Sequence, residues 1–345
     1  MNLIQRLADQ FKLKLWQIEN VVKLIDEGNT IPFIARYRKE AHGSLDDQVL
    51  REISERLAYL RNLDEKREEV RALITSLEKM TKEIDDALNG ASTLAEIEDI
   101  YRPFRPKRKT RASVAKEKGL EPLAEVIFKQ SKDEQEPSVL AQKFIAPEKG
   151  VETIEDAING AMDIIAENIS DDAQIRKRLR VVAMANAVLC SKASKEEEDS
   201  VYSQYYDFKE PISKIAGHRI LAIDRGEKEG FLKVTLDFDL QKALNIVYSA
   251  CVKEGSSCTE TVRNAAIDAY NRLIFPSIER EIRNLLTESA AEKAIKVFAL
   301  NLRHLLMQPP VKGRVTMGLD PGYRTGCKVA VVDETGKVLD TNVIY

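Results

Sequence analysis

The sequence predicts a mainly α chain: a multi-helical array or bundle with a small β element, followed by the first strands of a separate domain. Three observations carry this. First, 32% of the 345 residues are charged and only 6% aromatic, a composition suited to long solvent-facing helices. Second, apolar residues up to about residue 200 recur at three- and four-residue spacing, the period of an amphipathic helix. Third, beyond Gln308-Pro309-Pro310-Val311-Lys312-Gly313 the text turns to short apolar runs separated by turn residues, the grammar of strands.

Taken in order, residues 47–79 form a long helix, with Val49, Ile53, Leu57, Leu60 and Leu63 on one face. Ser44 with Asp47, Thr93 with Glu96 and Thr153 with Asp156 read as helix-opening caps. Gly90, Gly119, Gly150 and Gly160 read as turns or helix ends. No repeat of fixed period is visible, so a regular solenoid is not predicted. The segment 215–225 is ambiguous and leans to helix. Leu232, Val234, Leu236 and Phe238 alternate with polar residues, the period of a half-buried strand. Ser257 with Glu260 and Ser289 with Glu292 mark two further helix starts, at 258 and 290, and Pro276 starts the helix between them. The 308–313 run is a linker.

After it, residues 315–319 form a strand leading into Asp320-Pro321-Gly322. A second strand covers 327–332, Asp333-Glu334-Thr335-Gly336 turns the chain, and a third strand covers 337–345. Three strands leave a face and an edge uncovered, so the text reads as stopping inside a domain of a longer protein. The boundaries are therefore 1–200 (helical), 201–307 (a strand and then helices), 308–313 (linker) and 314–345 (the start of a truncated domain).

Composition excludes several functions. No run approaches the ~20 apolar residues of a membrane span. The first residues lack the apolar core of an export signal. Cys190, Cys251, Cys258 and Cys327 are scattered without CxxC pairs, which fits reduced thiols in the cytoplasm. Three isolated histidines, His42, His218 and His304, argue against a histidine-ligated zinc site. No metal or other cofactor is predicted.

The net charge of −3 conceals an asymmetry. Residues 101–120 hold eight basic side chains against one acidic, a local +7, and the remainder carries −10. The core of this stretch is Tyr101-Arg102-Pro103-Phe104-Arg105-Pro106-Lys107-Arg108-Lys109-Thr110-Arg111. Two prolines hold it extended, and aromatics lie among the cations, which suits phosphate neutralisation with base stacking. The candidate nucleic-acid-binding residues are Arg102, Arg105, Lys107, Arg108, Lys109 and Arg111. The competing reading is a solvated loop whose cations pair with neighbouring acidic helices. Arg176-Lys177-Arg178 with Arg180 reads as an exposed helix face, as do Arg36, Arg38 and Lys39, with Tyr37 in the core.

Asp320 ends a strand before a glycine turn, as does the first metal-binding aspartate of ribonuclease-H-like nucleases and the phosphate-hairpin aspartate of actin-like ATPases. Two-metal chemistry needs carboxylates around ions about 4 Å apart. With antiparallel hairpins, Asp333 falls on the order of 20 Å from Asp320, and Asp340 two strands over at roughly 10 Å. No catalytic residue is therefore assigned, and Asp320 reads as a turn residue of the 320–326 loop.

The motifs Ile31-Pro32-Phe33-Ile34-Ala35-Arg36-Tyr37-Arg38-Lys39-Glu40, the 101–111 segment, Lys118-Gly119-Leu120-Glu121-Pro122-Leu123-Ala124, the 218–225 segment, Phe275-Pro276-Ser277-Ile278-Glu279-Arg280-Glu281 and Gly318-Leu319-Asp320-Pro321-Gly322 occur in one order along the whole chain. Together they resemble the Tex family, bacterial transcription accessory proteins. The resemblance implies a helical region with a helix-turn-helix element and a YqgF domain of ribonuclease-H-like fold, degenerate as an active site. Helix-hairpin-helix modules and an OB-fold RNA-binding domain follow in the family.

The expected function is a non-catalytic, cytoplasmic transcription accessory scaffold. It would bind RNA or DNA without strong sequence preference, with RNA polymerase or other transcription or translation proteins as further partners. Two rivals remain open at this point. One is a metal-dependent nuclease whose other carboxylates lie beyond residue 345, and the other is a purely protein-interacting helical module.

Overall fold

A computed structural model describes residues 3–194, 200–309, 313–322 and 326–345. The chain divides into two compact units: Met1–Leu189 with Pro211–Ser213 and Thr235–Ile282, and Cys190–Glu210 with Lys214–Val234 and Arg283–Tyr345.

The first unit opens with α1 (Leu3–Phe11), α2 (Leu15–Asp26), α3 (Ile31–Tyr37), one-turn α4 (Lys39–His42), α5 (Asp47–Ser76), α6 (Lys82–Gly90) and α7 (Leu94–Tyr101). Ile53, Leu57, Leu60 and Leu63 of α5 are buried, as the spacing predicts, and pack with Leu7, Ile18, Val21 and Ile97 in one core. Asp46, not Ser44, caps α5, accepting from Gln48 N–H at 2.8 Å. Ser44 instead takes a left-handed φ of 57° in the preceding turn. Arg67 of α5 is buried. Its guanidinium donates to the carbonyls of Leu88 (2.8 Å) and Ala91 (3.0 Å), satisfying the C-terminus of α6.

His42 lies in the same core. Its Nδ1 accepts from Leu45 N–H at 3.0 Å, so the proton sits on Nε2, which donates to the Ile34 carbonyl at 3.2 Å. This is a structural histidine holding together the turn around α4.

The unit continues with α8 (Arg111–Glu117), α9 (Glu121–Lys129), α10 (Pro137–Ala141), α11 (Ile154–Ser170) and α12 (Ala173–Asn186). Thr153 and Asp156 form the predicted reciprocal cap on α11. Gly160 does not end a helix. It lies inside α11, where a β-carbon would come within 2.3 Å of Leu120 Cδ1. The glycine serves close packing against Leu120 rather than a turn.

Strand β1 (Val188–Ala193) falls where the sequence reads as helix, and β2 (Asp207–Pro211) adds a second unpredicted strand. After α13 (Gly217–Lys228), β3 (Leu232–Asp237) shows the expected strict alternation of burial. The sheet order is β2-β1-β3. The central strand's partners are distant in sequence, so its six residues carry little local signal.

In the first unit α14 (Leu240–Cys251) and α15 (Thr259–Asp268) pack on one another. Ser257 is not the cap of α15. Its hydroxyl donates to the carbonyls of Glu134 (2.9 Å) and Gln135 (3.0 Å), and the helix opens after Cys258.

No break separates the later helices. A π-helical segment, Ala269–Ile274, runs into α16 (Phe275–Leu306), so Ser289 and Glu292 are interior. The wide π-turn accommodates Pro276, which lacks an N–H and would crowd the carbonyl four residues before it.

Within the second unit, Arg283 of α16 donates to Asp224 and Glu227 of α13, at 3.1 Å and 3.0 Å. Thr287 Oγ1 donates to the same Asp224 at 2.6 Å. Gly217 lets α13 approach closely, since a β-carbon there would stand 3.3 Å from Ala290 Cα.

Of the linker, residues 310–312 lie outside the described residues. Strands β4 (Thr316–Gly322), β5 (Gly326–Val332) and β6 (Val338–Ile344) form an antiparallel meander. No helix among the described residues is long and apolar enough to cross a membrane.

Candidate nucleic-acid interface

The basic segment connects α7 to α8. It begins with one 3-10 turn, Arg102–Phe104, with Pro103 in its first positions, and Arg105 then turns to extended backbone. It ends at Thr110, which caps α8: Ser113 N–H donates to Thr110 Oγ1 at 3.0 Å, and Thr110 N–H donates to Ser113 Oγ at 2.8 Å.

The six candidate cations are not equivalent. Lys107 binds Glu167 Oε1 at 3.2 Å and pairs more closely with Asp171, both at the C-terminal end of α11. A carboxylate there opposes the helix dipole, and Lys107 offsets it. Burial pushes the Asp171 carboxyl up from its ordinary value, against the pull of Lys107. Arg102 is half-buried, and its Nε finds no hydrogen-bond partner among the described residues. Burial and the neighbouring Arg176 pull its guanidinium down from the ordinary arginine value.

Arg105, Arg108, Lys109 and Arg111 are exposed and make no ion pair among the described residues. Arg111 acts electrostatically on Asp163 of α11, whose carboxyl is pushed up by burial. Arg102, Arg105, Lys107, Thr110, Glu167 and Asp171 line a cleft of about 240 Å³. The two sequence readings thus divide the segment: Lys107 is bound to an acidic helix end, whereas four cations face solvent. Tyr101 and Phe104 are partly buried and pack against the N-terminal core, which leaves each ring only part of its surface for a base.

Beneath the segment lies a buried ionic ring that the sequence did not reveal. Arg176 Nε donates to Asp99 Oδ1 at 2.6 Å, and its Nη2 donates to Ser277 Oγ at 2.9 Å and Glu281 Oε1 at 3.2 Å. Arg180 completes the ring through Asp99 Oδ2 at 2.7 Å and Glu281 Oε2 at 2.8 Å. The expectation of an exposed face over residues 176–180 is therefore corrected: Arg176 is fully buried, and Arg180 nearly so. Its pattern signal is the i,i+4 spacing of Arg176 with Arg180, matched by Ser277 with Glu281. Three helices far apart in sequence bring them together. Asp99 sits three residues before Arg102, so the ring fixes the root of the basic segment.

Asp320 is not in a loop. It lies within β4 opposite Lys328, and pairing continues to Gly322 opposite Gly326. Asp340 pairs with Val331, which pairs with Met317, three positions from Asp320. An odd separation puts Asp340 on the other face of the sheet, and the offset adds about 10 Å along the strands. Asp333 lies past Val332, the partner of Thr316, on the order of 13 Å or more along the sheet. No three His, Cys, Asp or Glu residues cluster with metal-binding geometry among the described residues.

Fold and site define a helical scaffold that carries a braced cationic loop and a three-stranded YqgF-like meander. Three family models match in order: Tex-like protein N-terminal domain over residues 1–75, Tex central region-like over 132–298, and Tex protein YqgF-like domain over 314–345. The chain belongs to the Tex family. It is 46% identical to uncharacterized protein YdcI of Bacillus subtilis over 99% of this chain and 48% of the relative. It is 36% identical to transcriptional accessory protein Tex of Neisseria gonorrhoeae, covering 100% of this chain and 46% of the relative. The human S1 RNA-binding domain-containing protein 1 is 32% identical over 100% of this chain and 36% of its own length. The chain thus spans less than half the length of these relatives.

Proposed function

We propose that this chain is a non-catalytic, cytoplasmic scaffold that holds RNA or DNA for the transcription apparatus, without strong sequence preference. The observation that carries the reading is the loop between α7 and α8. Arg105, Arg108, Lys109 and Arg111 are exposed there and make no ion pair among the described residues, on a backbone tied to α11 by Lys107. Such an array neutralises phosphates without reading bases. Membership of a transcription accessory family and a relative named for an S1 RNA-binding domain support the same direction. RNA polymerase, or another transcription or translation protein, is the protein partner this role calls for. The wide separation and opposite facing of Asp320 and Asp340 support a role without hydrolysis.

The test is salt-dependent binding of a labelled single-stranded oligonucleotide by the 345-residue chain and by a variant with Arg105, Arg108, Lys109 and Arg111 changed to Gln. Four lost phosphate contacts should weaken binding and flatten the logarithmic salt slope by about three. An unchanged slope rejects the loop. Cleavage in magnesium or manganese that disappears in Asp320→Asn rejects the non-catalytic part.

A further inference from the structure

The motif spanning residues 31–40 takes no part in the loop just described, and its Tyr37 is not where the sequence pattern predicts. Tyr37 is 56% exposed rather than core. Its ring stands 5.3 Å from that of Phe33, tilted by 46°. The Arg38 guanidinium lies over Phe33 at 5.2 Å, and that of Arg36 lies 5.9 Å from the Tyr37 ring centre. Arg36, Arg38 and Lys39 are exposed and have no carboxylate partner among the described residues, whereas Arg61, Arg71, Arg272 and Arg283 all have one. The neighbouring α2 exposes Trp16, the single tryptophan, 43% open. Its ring lies against Gly43, directly after α4, where a β-carbon would come within 3.0 Å of it.

We infer that this face, Phe33, Arg36, Tyr37, Arg38 and Lys39 with Trp16 beside it, is a second contact site, one that takes an unpaired nucleobase and its flanking phosphates from a single strand. An exposed aromatic ring held by a neighbour and bordered by guanidinium planes stacks on a base of any identity. Three uncompensated cations supply the matching phosphate contacts. A core role does not explain an exposed ring, and a solvated charged face does not explain an aromatic and cationic ladder. The site also supplies an open ring that the α7–α8 loop lacks, because Tyr101 and Phe104 are partly covered by the core there. The inference rests on the reading that the chain meets nucleic acid, but it uses none of the loop's residues.

The experiment titrates the 345-residue chain with a fluorescein-labelled oligouridine 12-mer, following anisotropy and Trp16 emission together. Tyr37→Ala should raise the Kd about tenfold, the effect of one lost stack, while Tyr37→Phe retains binding. An abasic 12-mer of equal charge should bind the wild type correspondingly more weakly and be indifferent to Tyr37→Ala. Trp16 emission should change as the RNA binds, including in the variant with the four loop cations neutralised. Binding that ignores Tyr37→Ala, or equal affinity for the abasic strand, overturns the site. If only the loop variant loses affinity, the loop reading stands and this face does not. If the wild type binds no RNA, both fall. Oligoglutamate that perturbs Trp16 where RNA does not overturns the site in favour of an acidic protein partner.

Discussion

Arg176 Nε lies 2.6 Å from Asp99 Oδ1, and the arginine side chain that makes this contact has no solvent exposure. The pair is half of a closed ring in which two arginines face two carboxylates, so every charge in it depends on the others. Removing Asp99 leaves two largely buried arginines sharing the one carboxylate of Glu281. Asp99→Ala should cost about 3–5 kcal/mol of stability, far more than loss of a surface pair. Urea denaturation checks this, and a loss below 1 kcal/mol would show the ring relaxing by admitting water.

Glu96 provides a pH signature. Burial works against its ionisation, yet Lys177 Nζ at 2.7 Å and Ser92 N–H at 2.7 Å hold the carboxyl down to about 2. A carboxyl whose folded value is below its unfolded value adds stability above pH 4.5 and surrenders it as the pH falls toward 2. With Lys177 half-exposed, the contribution is discounted to about 2 kcal/mol. Thermal melts of Glu96→Gln between pH 5 and pH 2 should therefore fall less steeply than those of the wild type. Parallel curves would refute it.

Gly160→Ala should destabilise, although alanine favours helices by about 1 kcal/mol. The added carbon meets Leu120 Cδ1 at 2.3 Å, and overpacking of this kind costs about 1–3 kcal/mol. A raised Tm would mean that Leu120 moves aside without penalty.

His42→Phe fills a similar space but leaves Leu45 N–H without its partner in a partly buried turn, while the Ile34 carbonyl still accepts from Arg38 N–H at 3.1 Å. A loss of about 1–3 kcal/mol is expected, the cost of one stranded polar group. Amide exchange at Leu45 gives a direct readout: it should accelerate in the variant, and unchanged protection would rule out the bridging role.

Much of the architecture was legible in the sequence. The 30-residue α5 announces itself because its apolar spacing persists for eight turns, and β3 because its alternation is unbroken. Order along the chain made the family recognisable. The failures share a cause. Ser44, Ser257 and Ser289 matched a four-residue capping pattern, but a short pattern cannot tell whether a neighbouring side chain caps instead, or whether the helix is already under way. Arg176 looked like surface because its partners lie 77 and 105 residues away. Tyr37 looked like core because burial is decided by what packs over a ring. The cations at 102–111 were all visible, but their division into paired and unpaired groups required α11.

That division has an energetic consequence. Fixing the backbone of one residue costs roughly 1–2 kcal/mol, and a flexible loop would surrender this on meeting a polyanion. With Lys107 tied to the end of α11 and Thr110 capping α8, the segment has met part of that entropy loss during folding. The cations left free occupy a preset spacing, so an anionic strand selects a geometry already present instead of creating one.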